Sequence, residues 1–297
     1  MNDLSITLSE LIKEKVSLEL DIVRKAVDSK NIKEQKLISF WKGLVRDPYG
    51  EWMKYYSDNG NKYFRYGKQP YPDLTKGEHI SLIKKSIEQE KYFLLSLINK
   101  SFRNNKTWLI ELHKKQAYKG KGGKLLTKKR TSQGEHSIMV KQIIIPLAKK
   151  YSDPYIDKDM QVITLPGICF DALPKDLWVN NNVVWHYYPD PIYYKQYLQI
   201  MRKKLIALVK KLSDNRNVTE ILTIIGLYYQ YGINMHMFED INQSLFINQI
   251  NSILLLLNLK PINHGVLDFV AMRFQPENFT KYFIDEIKKR NFKIKLN

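Results

Sequence analysis

A chain of 297 residues with 44% hydrophobic and 26% charged side chains can bury a full core and has the balance of an ordinary globular protein, which excludes a disordered or low-complexity chain. Its net charge of +18 favours anionic partners, whether nucleotide, nucleic acid, acidic membrane surface or acidic protein, without choosing among them. The longest apolar run, Ile253 to Leu257, is far shorter than the roughly 18 residues of a membrane span, the N-terminus lacks the pattern of a cleavable signal, and the one cysteine, Cys169, can form no internal disulfide.

Along the chain, Leu8, Leu11, Ile12, Val16, Leu20 and Val23 recur at helical spacing and predict a helix over 4–28. Residues 29–77 carry turn signals such as Asp47-Pro48-Tyr49-Gly50 and read as short elements with loops. Residues 78–113 read as one or two helices that end at a basic segment, Lys114–Arg130, with eight basic residues and no acid. Gly120, Gly122 and Gly123 make that segment a poor helix. It is no P-loop: Tyr118 stands where the first glycine is needed, and neither Ser nor Thr follows Lys124. It reads as a solvated loop or as an electrostatic arm for an anionic partner.

A further helix is expected around 136–150. Met160–Leu165 and Ile168–Phe170 flank Pro166-Gly167 and predict a small β-hairpin. The aromatic cluster Trp185-His186-Tyr187-Tyr188 with Tyr193-Tyr194 reads as packing. Helices resume from Pro191 to Leu212 and from Val218. The expected fold is mainly α, with an N-terminal helical region over 1–135 and a helical domain with a hairpin over 136–297.

Residues 218–262 carry the chemistry. Val218 to Tyr231 is an apolar helix with a Thr or Asn start signal. A loop, Gly232 to Met235, leads into His236-Met237-Phe238-Glu239-Asp240-Ile241-Asn242, and a second apolar helix runs from Gln243 to Leu259. A helix start offers unpaired N–H groups to a phosphate. A neighbouring aspartate can hold Mg²⁺, and a histidine just upstream can take a proton from a hydroxyl. Together these parts describe transfer from a nucleotide-type donor to a hydroxyl. Other roles stay open: Asp240 and Asp268 as helix caps, Asn242 as a cap or structural bridge, and Phe238 as core.

This segment resembles the Fic family signature, H-P-F-x-D-G-N-G-R between two helices. His236, Phe238, Asp240 and Asn242 fall on the motif's His, Phe, Asp and Asn, and the 160–170 hairpin resembles the flap over the Fic site. The likeness covers about 155–290 and implies a Fic-like helical bundle. Met237 replaces the motif's proline, Ile241 and Gln243 its glycines, and Ser244 its final arginine. In the family that arginine clamps the donor's phosphates, and serine supplies neither its charge nor its fork. The family's inhibitory motif is absent, since Arg273 stands where Glu277-Asn278 would require Ser or Thr.

The stretch Leu259-Lys-Pro-Ile-Asn-His-Gly-Val-Leu-Asp268 with Ala271-Met272 is also similar to AvrB-type bacterial effectors, where Asp268 falls on a pocket aspartate and His264 lies on the same turn. That likeness implies a secreted effector acting in host cytoplasm, a nucleotide-sugar donor and a host protein hydroxyl as acceptor. The resemblances together imply catalytic His236 and Asp268, donor contacts at Asn242, Gln243, Ser244 and His264, and Mg²⁺ at Asp240. Two other functions fit the sequence: a catalytically dead Fic-like protein that binds its host target, and a nucleic-acid binder using the 114–130 segment.

Overall fold

Apolar residues at helical spacing set most of the described chain, and the fold is mainly α. The computed structural model describes residues 85, 88–90, 92–116, 122–128, 131–136, 145–153, 183–214, 217–239, 242–257, 259–262 and 267–291. The expected elements over 4–77 and the 160–170 hairpin lie outside them, as do Asp240, Ile241 and His264. The helices are α1 (Trp108–Gln116), α2 (Ile145–Tyr151), α3 (Tyr194–Asp214), α4 (Val218–Met235), α5 (Asn242–Leu256), α6 (Leu267–Arg273) and α7 (Pro276–Arg290). Two strands, β1 (Thr131–His136) and β2 (Val183–Tyr187), pair antiparallel. None of the helices among the described residues is long and apolar enough to cross a membrane.

The chain forms two compact units that interleave along the sequence. One comprises Met1–Lys124, Val209–Arg216 and Gln243–Gly265; the other comprises Leu125–Leu208, Asn217–Asn242 and Val266–Asn297. In the first, α1 buries Trp108, Leu109, Leu112 and His113. Its start is organised by Asn105, whose side chain accepts the Thr107 N–H at 2.8 Å. Along α5, Leu245, Phe246, Ile247, Ile250, Ile253 and Leu254 are buried. Asn251 ties this helix to the chain beyond it, donating to the Ile262 carbonyl at 2.9 Å and accepting the Ile262 N–H at 2.8 Å.

The second unit is built around α4. Asn217 caps it by accepting the Glu220 N–H at 3.1 Å, the start signal expected from sequence. From Tyr228 to Met235 every residue is buried, as befits a helix enclosed on all sides. The loop expected over 232–235 is helical instead. Gly232 and Asn234 are poor helix formers, but the Asn234 amide donates to the Gln230 carbonyl at 2.8 Å and to the Ala271 carbonyl at 2.9 Å, and these buried bonds override propensity.

Helix α7 packs on α4 through Phe279, Tyr282 and Phe283, all buried. Gly226 permits the approach, because a Cβ there would lie 3.0 Å from Phe283 Cδ1. Gly226→Val is therefore expected to destabilise the fold by about 1–3 kcal/mol through overpacking, read as a lower denaturation midpoint. Asp153 caps α7 from outside. Its carboxylate accepts the Gln275 N–H at 2.9 Å and the Asn278 amide at 3.1 Å, at the end where the helix dipole favours negative charge. Tyr151 on α2 donates to Asp285 on α7 at 2.8 Å.

The helix expected around 136–150 is confined, in the described residues, to α2, and His136 belongs to β1. The β1–β2 register changes between Gln133 and His136, where Gly134 marks the irregularity. On α3, Tyr197, Met201, Leu205 and Leu208 are buried at helical spacing.

Candidate functional site

Helix α4 ends where His236 turns left-handed, with φ 41° and ψ 47°, its N–H bonded to the Gly232 carbonyl at 3.3 Å. That conformation costs an L-residue roughly 1–2 kcal/mol, and histidine occupies it more readily than most. The side chain is buried at 7% exposure. Its ring lies flat on Tyr188, with centroids 3.9 Å apart and planes 10° apart. Tyr188 directly follows β2, so the sheet delivers the ring that holds the imidazole. A stacked and buried imidazole has a fixed plane, the preorganisation that proton transfer needs.

The chain beyond His236 is fixed through its backbone. The Asn242 side chain accepts the Phe238 N–H at 2.9 Å and donates to the Phe238 carbonyl at 2.8 Å. Both residues are buried. Asn242 thus closes the turn from His236 into α5 as a structural bridge, one of the roles its sequence position left open. The Met237 carbonyl accepts the Leu126 N–H at 2.9 Å, and Leu125 forms an antiparallel bridge with Phe238. Leu125 and Leu126, within the basic segment, are therefore paired with the motif loop.

Upstream, the Gly123 N–H donates to Nδ1 of His113 at 2.8 Å, so it is not turned toward a phosphate. Gly123 has φ 77°, and a Cβ there would lie 2.9 Å from Lys114 Cε and 3.0 Å from Ile110 Cγ2. Gly123→Ala is expected to lower stability by about 1–2 kcal/mol, mainly from left-handed strain, measured by chemical denaturation. Lys114 to Gln116 belong to α1, so only part of the expected loop is loop.

Asp268 lies on α6, buried at 4% exposure. This short helix is held to α4 by two amides. Gln230 donates to the Ala271 carbonyl at 3.1 Å and to the Phe274 carbonyl at 2.8 Å, and Asn234 adds its bond to Ala271. These side chains satisfy carbonyls that a helix end leaves open. Burial first, then the Asp268 carboxylate and Tyr282, push the Tyr229 phenol well above its ordinary range. Tyr229 stands two helical turns before His236 and remains a neutral phenol at physiological pH.

The structure thus brings His236, Phe238 and Asn242 into one locked turn, and Asp268, on α6, acts electrostatically on Tyr229 of α4. Gln243 is half-buried in α5, Ser244 is helical there, and Asp240 and His264 lie outside the described residues. Three contributors were not read from the sequence. Tyr188 reads as packing in the sequence, and the Leu125–Leu126 pairing is non-local. Gln230 and Asn234 carry a signal that could have found them, since polar residues four apart on an apolar helix must find buried partners.

No family model matches the chain, and no curated protein sequence matches it. Among solved structures it is similar to a Fic-domain-containing signaling protein from Bacteroides thetaiotaomicron, with 10% identity, 94% of this chain and 93% of that chain covered, and a TM-score of 0.44.

Proposed function

We propose that this chain is a Fic-like transferase that moves a nucleotidyl or glycosyl group from a nucleotide-type donor onto a protein hydroxyl, in the manner of an effector acting on a host protein. The observation that carries the reading is the locked turn: His236 capped left-handed at the end of α4, its ring clamped on Tyr188, and Asn242 bonded back to Phe238 at the start of α5. In this reading His236 takes the acceptor's proton. The acceptor oxygen bonds to the donor's phosphorus or anomeric carbon, and the bond to the departing pyrophosphate or nucleoside diphosphate breaks. The helix start at Asn242 faces the donor's phosphates, with Gln243, Ser244 and His264 as further donor contacts and Asp268 supporting the reaction from α6.

Among the described residues, no three His, Cys, Asp or Glu side chains gather as a metal site. In this reading Asp240 would hold Mg²⁺ together with donor phosphates, a sharing usual for that ion. The ion would neutralise diphosphate charge.

The test is incubation of the protein with radiolabelled nucleoside triphosphates and nucleotide sugars, with a host-cell lysate as acceptor. Label transferred to a protein band supports the reading, and no transfer from any donor overturns it. A second reading, target binding without chemistry, is favoured by Ser244 in the arginine position. It predicts that the biological effect persists in His236→Ala.

A further inference from the structure

The segment Leu125–Lys128 joins two features that the fold alone leaves unexplained: a run of positive charge without a role, and a motif without its arginine. We propose that this segment is the anion-binding wall of the His236 site, with Lys128 supplying the positive charge toward a diphosphate that the motif no longer carries. The inference rests on the transferase reading for the identity of the anion as donor, but not for the site itself.

The geometry is local to the motif loop. Leu126 donates its N–H to the Met237 carbonyl at 2.9 Å and Leu125 bridges Phe238, so the segment runs antiparallel to the two residues that follow His236. Thr127 and Lys128 leave that pairing and are exposed. Lys128 is two residues beyond Leu126, at most about 7 Å of chain, and a lysine side chain adds roughly 6 Å of reach. Its ammonium therefore stays within range of the loop. Glu239, exposed on the same loop, opposes it. Ammonium groups bind phosphate as point charges and need no fork geometry, so a flexible lysine can serve where a bidentate arginine is lost. An exposed site of this kind is screened by salt.

The experiment is titration calorimetry of the full chain with inorganic pyrophosphate and with ADP and UDP, at low and at physiological salt. Lys128→Gln should weaken pyrophosphate by about five- to tenfold. Lys281→Gln, which removes equal charge from an exposed position on α7, should leave it unchanged. Absence of pyrophosphate binding by the wild type overturns the inference, and so does equal weakening in the α7 variant, which would mark a general field effect. Lys128-dependent binding without group transfer leaves the inference standing while the transferase reading falls. Group transfer with undiminished donor affinity in Lys128→Gln does the reverse.

Discussion

Replacing His236 with asparagine should lower group transfer by about 10²- to 10⁴-fold while donor affinity changes little. Asparagine is the informative substitution because it also accepts the left-handed backbone that ends α4. The cap then survives, and the base is lost together with its stack on Tyr188. His236→Ala removes the base and the stack as well, but adds backbone strain. It should therefore lose roughly a further 1 kcal/mol of stability. Single-turnover rates with labelled donor, set beside calorimetric affinities for the same variants, separate the two effects. A transfer rate in His236→Asn within a few-fold of wild type would remove the histidine from the chemistry.

Asn242→Leu should reduce the free energy of unfolding by about 2–5 kcal/mol. The cost lies in the partner. Phe238 is fully buried, and both its N–H and its carbonyl bond to the one Asn242 amide. An isosteric apolar side chain strands both groups at once, at roughly 1–3 kcal/mol each. Asn242→Asp keeps an acceptor for the Phe238 N–H and sets a carboxylate against the Phe238 carbonyl, so its loss should be comparable and should ease as pH falls. Chemical denaturation of the three proteins decides the point. A change below about 0.5 kcal/mol in Asn242→Leu would show that the turn is held by other means.

The two helices that flank the motif were legible in the sequence. The apolar runs on either side of the motif gave α4 and α5 with their starts within a residue, and Asn217 caps as its type predicts. The mainly helical character followed from the same periodicity. What escaped was set by tertiary partners. Gly232 and Asn234 are loop-forming types, and they are helical because buried amide bonds to Gln230 and Ala271 hold the last turn. Strand β1 reads Thr-Ser-Gln-Gly-Glu-His, with no apolar alternation, and it is a strand because β2 pairs with it from a distant part of the chain. The candidate site divides the same way. His236 and Asn242 stood out by spacing, whereas Tyr188 meets His236 only through the sheet, and Leu125 meets Phe238 only through a long-range bridge.

The interleaving of the two units along the sequence also bears on how the molecule is made. Each draws on three separate stretches of chain, so no single cut yields either one whole. During synthesis α4 emerges before α7, the helix that covers its Gly226 face. Until then that greasy surface has no native cover and is a target for chaperones or for aggregation. A stop codon ahead of residue 276 should therefore produce insoluble protein rather than a shorter working form. Separately expressed halves should regain the native state only when refolded together.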